Sequence, residues 1–279
     1  YGMAEKQTVL IADRLRDGLP LTGIPGTCYM ADEVPEGALE IPSFMACKED
    51  KVAYCKAFRA QYEEQDPIRG RTLAQRHEKK VLVAEPPMMP LTREELDRVY
   101  DLPYTRRWHP MYDAEGGVPA LAEVEFSIAS TRGCFGACSF CALTFHQGRI
   151  VQSRSPESIL KEARLLTKLP NFKGYIHDVG GPTANFRFPS CKKQLKVGTC
   201  KNRQCLAPEP CPNLEVDEKE LTRLLRDLRQ IPGVKKVFIR SGLRFDYMML
   251  DKSDEFFNEL CAHHVSGQLK VAPEHVAPK

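Results

Sequence analysis

Apolar positions along the chain follow two rhythms, and the change between them falls near residue 120. Before it, helical spacing comes in patches cut by breakers. Residues 3–18 suit a helix through Val9, Leu10, Ile11 and Leu15, closed by Gly18-Leu19-Pro20. A second helical stretch runs from Glu49 to Glu64 and stops before Asp66-Pro67. Pro25-Gly26, Pro35 and Pro86-Pro87 leave little room for other regular structure. Residues 1–117 therefore read as a mostly helical and irregular extension packed on a domain, not a domain of their own.

Beyond residue 120 the pattern alternates strand with helix. Val124, Phe126 and Ile128 alternate as a strand should. Ser155 offers an N-cap with Pro156 at the first helical position, and Ile159, Leu160, Ala163 and Leu166 mark a buried stripe. Tyr175-Ile176 centre a second strand. Asp217 with Glu220 predicts a capping box before Leu221, Leu224, Leu225 and Leu228, which share one helical face. Val237-Phe238-Ile239 form a third strand, Ser253 caps a helix through Phe256, Phe257 and Leu260, and Leu269 to Ala272 form a fourth. This α/β order over residues 118–279 predicts a partial (β/α) barrel, whose chemistry would sit at the C-terminal strand ends.

Composition narrows the class. With 42% hydrophobic and 28% charged residues the chain is neither disordered nor fibrous, and its net charge of +3 makes no case for nucleic acid or a membrane surface. No run reaches the ~18 apolar residues of a membrane-spanning helix, and no signal segment opens the chain. A reducing, cytoplasmic setting is expected. Tyr1 and Lys279 read as the ends of a central piece of something longer. The eleven cysteines stand out: they are too few for the ~8–10% of a disulfide scaffold, yet seven lie between Cys134 and Cys211. That clustering points to metal.

The first group is Cys134, Cys138 and Cys141, a C-x3-C-x2-C arrangement in which Gly133 and Gly136 are expected to let the backbone turn tightly. A structural zinc or an ordinary cubane usually takes four protein ligands, and the next cysteine is fifty residues on. Three thiols alone suggest a cluster with one open iron. Set just after a strand and with Phe140 before its third cysteine, the motif resembles the signature of the radical S-adenosylmethionine (radical SAM) superfamily. The wider stretches His146-Gln147-Gly148-Arg149, Gly174 to Asn185 and Val265 to His275, with Leu102-Pro103-Tyr104 and His109-Pro110 upstream, are similar to the YgiQ-type radical SAM proteins.

The resemblance implies specific roles. Cys134, Cys138 and Cys141 would hold a 4Fe-4S cluster, whose remaining iron would chelate the amino and carboxylate groups of S-adenosylmethionine. Phe140 would lie near the adenine. Gly180-Gly181 match the place of the superfamily's glycine-rich motif, although Pro182 replaces its usual acidic third position. Arg240, Ser241 and Glu274 are candidates for contacts to ribose or carboxylate. The implied activity is reductive cleavage to a 5′-deoxyadenosyl radical that acts on an unknown substrate, with an electron donor as partner. The alternative is an iron–sulfur or zinc module that binds or transfers electrons without radical chemistry.

The second group, Cys191, Cys200, Cys205 and Cys211, lies in a Lys/Pro-rich insert at about 186–213 with few large apolar residues. A metal would supply the folding energy its missing core cannot. An auxiliary iron–sulfur cluster, a structural zinc and no metal all remain compatible with the spacing. Cys28, Cys47, Cys55 and Cys261 read as isolated small hydrophobes. His177 and the pair His263-His264 read as structural, and the basic stretches 69–71 and 192–201 as solvated surface.

Overall fold

The computed structural model describes residues 2–269 and residue 271. The chain divides into two compact units: Tyr1–Pro90 with Gly133–Ile150 and Pro189–Asn213, and Leu91–Arg132 with Val151–Phe188 and Leu214–Lys279. Both cysteine groups lie in the first unit.

The first unit corrects the expectation of an irregular extension, because it contains a four-stranded sheet. Its strands run Cys28–Ala31, Lys80–Ala84, Leu73–His77 and Leu39–Ile41 in that spatial order, with the first two pairings antiparallel and the last parallel. Short strands with polar alternation (Leu73, Gln75, His77 against Ala74, Arg76) hid this sheet among the breakers. Ala74, Val81 and Val83 are fully buried at its centre. The first helix, Glu5–Arg16, falls inside the expected span. The second is two helices, Phe44–Glu49 and Lys51–Glu64, because the Asp50 carboxylate caps Val52 N and Ala53 N and so starts a new helix there.

The second unit keeps the expected alternation but on very short strands. Ser127–Ala129 pairs in parallel with Asp178–Gly180, and Tyr175–Ile176 with Lys236–Val237. Phe238 accepts from Val179 N at 3.1 Å, and Leu243 bridges Val271 in parallel. Parallel neighbours in chain order are how a (β/α) barrel begins, but no closed barrel forms among the described residues. The first strand starts later than expected: Leu121–Val124 is a helical turn and Val124 is exposed. Only Val271 of the fourth strand's final three residues is described.

Helices cover one face of these strands. Ser155 accepts from Ser158 N and Pro156 opens the helix Pro156–Leu166, as the sequence predicts. Leu221, Leu224, Leu225 and Leu228 of the helix Lys219–Arg229 are all buried against Ile128, Ile176, Val179 and Val237 in one core. The Asp217/Glu220 capping box is not formed. Asp217 caps Lys219 N alone, because Glu220 is drawn into ion pairs with Arg93 and Arg187. The last helix is Glu255–Glu259, continued by a π-helical turn Leu260–His264.

Two arginines with fully buried side chains tie the end of the first parallel strand to these helices. Arg154 donates to Ala129 O at 3.0 Å and to Glu162 at 2.5 Å, while Arg187 donates to Ser130 O at 3.1 Å and to Glu220 at 2.8 Å. Removing one partner of such a pair strands a charge in the interior. Glu220→Gln is expected to cost about 3–5 kcal/mol in urea unfolding; a loss under about 1 kcal/mol, the level of a surface pair, would sink this account.

Glu218 is buried nearby, with Asn185 Nδ2 donating to it at 2.8 Å. Burial pushes its carboxyl up to about 8, helped by Asp251 and Asp217 and opposed by Asn185. Its folded value lies above the ordinary 4.5, so its contribution to stability is complete below pH 4.5 and is lost as pH rises to about 8. Glu218→Gln, which mimics the protonated acid, is expected to flatten stability against pH across that window; unchanged pH dependence in denaturant titrations would refute the assignment.

Candidate functional site

The three-cysteine loop begins where Gly133, at φ 80°, leaves the strand Thr131–Arg132. Gly133 N donates to Gln147 Oε1 at 3.0 Å and Cys134 N to Gly148 O at 3.1 Å, so the far end of the loop closes on its start. Cys141 N donates to Cys138 O at 3.0 Å. Gly136 is not among the residues at positive φ; Ala137 takes the left-handed position at φ 52°. Its carbonyl accepts from Gln204 Nε2 at 2.8 Å, which couples this loop to the cysteine-rich insert. Phe140 is 69% exposed.

Cys138 and Cys141 line a cavity of about 670 Å³ together with Phe58, Tyr62 and Phe145 and with Lys201 to Gln204. Cys134 is not in its lining. No disulfide joins any of the eleven cysteines. Among the described residues no three His, Cys, Asp or Glu side chains yet converge closely enough to hold a metal ion.

The insert is held by polar anchors rather than a core. Thr199 N and its hydroxyl donate to the buried Asp66 at 2.6 and 2.8 Å, and Arg69 donates to Thr199 O at 2.6 Å. Gln194 Nε2 donates to Arg149 O at 2.9 Å. Burial pushes the Glu64 carboxyl up, but hydrogen bonds from Arg71 and Lys201 outweigh it and hold the group at about 2. Arg69, Arg71 and Lys201 thus make structural bonds, while Arg71 and Lys201 stay exposed as the solvated-surface reading expects. Burial pushes the Cys205 thiol up, with neighbouring Cys191 and Cys200 adding and the Ser190 hydroxyl and Arg149 opposing.

Gly180, Gly181, Arg240 and Ser241 are in the second unit. Asp178 organises two of them. Its Oδ1 accepts from Arg240 N at 2.7 Å and Ser241 N at 3.1 Å, and its Oδ2 accepts from the Ser241 hydroxyl. Gly180 has no room for a side chain, since a Cβ there would meet Ser241 Oγ at 2.0 Å. At Gly181 a Cβ would meet Thr131 Oγ1 at 2.2 Å, and that buried hydroxyl has no hydrogen-bond partner. Both glycines are therefore required by packing, a role spacing alone did not disclose. His177 packs edge-on against Phe126, and His264 is buried on Val237 O at 2.8 Å, so both are structural. Glu274 lies outside the described residues.

Residues 1–127 match a protein-family model described as "Radical SAM N-terminal". A UPF0313 protein of Clostridium perfringens is 60% identical across the whole chain, and one of Clostridium botulinum 58%. The chain is thus similar to UPF0313 proteins along its whole length and to the radical SAM N-terminal family over residues 1–127. It spans 43% and 44% of the length of those two relatives. The family match bears out the resemblance read from the cysteine loop, and it covers the part of the chain that lacks the loop itself. No helix among the described residues is long and apolar enough to cross a membrane.

The packing role of the glycines is open to a direct check. Gly180→Ala is expected to cost about 1–3 kcal/mol as overpacking against Ser241; a neutral effect in thermal or urea unfolding would contradict it.

Proposed function

We propose that this chain is the catalytic portion of a radical SAM enzyme, with Cys134, Cys138 and Cys141 as the ligands of a 4Fe-4S cluster. The observation that carries this reading is the C-x3-C-x-Phe-C loop in a chain whose residues 1–127 match the radical SAM N-terminal family. The donor set fits: three thiols on one short loop, closed on itself by backbone bonds, suit an iron–sulfur centre that keeps one iron for a ligand. When bound, the reduced cluster supplies one electron to S-adenosylmethionine, which yields methionine and a 5′-deoxyadenosyl radical able to abstract hydrogen from a substrate.

The chain's own residues bind and orient. Phe140 offers an exposed aromatic face to the adenine. The Thr131 hydroxyl beside Gly181 is a buried polar group with no hydrogen-bond partner in the protein. Asp178 fixes the backbone of Arg240 and Ser241, which leaves the Arg240 guanidinium to meet carboxylate or ribose; because the Ser241 hydroxyl is committed to Asp178, its contact to ligand runs through a shared bond. Glu274 is assigned to the ribose by resemblance alone. The reading requires a reducing electron donor and a cytoplasmic setting.

Anaerobic reconstitution tests it. The protein is expected to show broad visible absorbance from thiolate-to-iron charge transfer and, with dithionite, to convert S-adenosylmethionine to 5′-deoxyadenosine and methionine. Replacing Cys134, Cys138 and Cys141 together by Ala should abolish the product and most of that absorbance. An intact, reducible cluster that forms no 5′-deoxyadenosine would overturn the proposal in favour of an electron-transfer or binding module.

A further inference from the structure

The most anomalous charge in the first unit is Arg149. Its residue is 3% exposed, yet among the described residues no carboxylate pairs with it. Two of its nitrogens donate to the carbonyls of Cys200 and Arg203 at 2.8 and 3.2 Å, and its plane lies 5.5 Å from the Tyr62 ring. Its Nε is buried with no acceptor. Carbonyl dipoles and a ring face solvate a cation partly, but a buried charge ordinarily requires a counter-charge.

One thiol, that of Cys205, is close enough to feel the Arg149 charge. Cys205 lies within electrostatic reach of Arg149, Cys191 and Cys200, and Cys211 N donates to Cys205 O at 2.9 Å. These four are the complete cysteine content of a segment, Pro189–Asn213, in which Leu195 and Val197 are exposed and Leu206 is buried. We propose that Cys191, Cys200, Cys205 and Cys211 form a second metal centre, a tetrathiolate whose negative charge is partly offset by the buried Arg149 guanidinium.

The charges close. Four thiols that bind a zinc ion release four protons and leave a dianionic centre, and four thiolates on an oxidised 4Fe-4S core carry the same net charge. Arg149 takes up half of that charge through a guanidinium bonded to the Cys200 carbonyl at 2.8 Å. Protonated thiols have no reason to converge; deprotonation by the metal supplies it, and the cross-link replaces the core this segment lacks. The inference does not depend on the radical SAM reading, since it concerns different ligands.

The two are separated by working in the Cys134→Ala/Cys138→Ala/Cys141→Ala protein, which lacks the first cluster's ligands. After anaerobic reconstitution with zinc sulfate, or with ferrous iron and sulfide, elemental analysis is expected to find about one zinc or about four irons per chain. Adding Cys200→Ser and Cys205→Ser should remove most of it. If that variant fails to fold, p-hydroxymercuribenzoate titration of the parent variant should release metal in step with loss of thiolate. Under chelator, Arg149→Met is expected to lose metal faster than Arg149→Lys. A parent variant that retains no metal, metal that survives the two serines, mercurial titration without metal release, or equal retention by both Arg149 variants would overturn the proposal.

Discussion

The second unit is organised around two buried arginines that meet at the end of one short strand. Ser130 is the meeting point: its carbonyl accepts from Arg187 Nη1 at 3.1 Å and from Arg154 N at 3.0 Å, and its own N–H donates to Gly180 O at 2.7 Å. Arg154 and Arg187 carry no exposed surface worth the name, so each must be neutralised where it stands. Glu162 and Glu220 do this from two different helices, with Arg106 and Arg93 pairing their outer sides. Strand, helices and the upstream Arg93–Tyr100 segment are thereby held in one register by charge as much as by apolar burial. Tyr100 adds its ring 4.1 Å from the Arg154 guanidinium.

That constraint reaches the glycine turn. Gly180 accepts from both the amide and the hydroxyl of Ser130, and its Cα faces Ser241, which Asp178 holds. The first three parallel strands therefore end on a single hydrogen-bonded arrangement in which each glycine is the only residue small enough. The glycines' first duty is to let the strand ends approach.

The first unit solves a different problem. It must support two cysteine-bearing segments with little apolar material, and it does so with ionic and backbone-directed bonds from residues 64–71 and from Arg149. The resulting insert is ordered without a core of its own, which is the condition in which bound metal contributes most to folding.

Local chemistry was legible in the sequence wherever its cause was local. Ser155-Pro156, the Leu221/Leu224/Leu225/Leu228 face and the cysteine spacing were readable because caps, helical periodicity and ligand spacing act over a few residues. The capping box of Thr92 and Glu95 is equally local, with the Thr92 hydroxyl accepting from Glu95 N and the Glu95 carboxylate from Thr92 N. Long-range partnership was not legible. The four-stranded sheet of the first unit depends on pairing Cys28–Ala31 with Lys80–Ala84, more than fifty residues apart, and no local pattern announces it. Asp217 and Glu220 carried the capping signal, but two distant arginines claimed Glu220 instead. The sequence by itself determined the cysteine spacing and the family resemblance; only tertiary structure decided that Arg149, Arg154 and Arg187 are buried, because burial is a property of what the rest of the chain places around a residue.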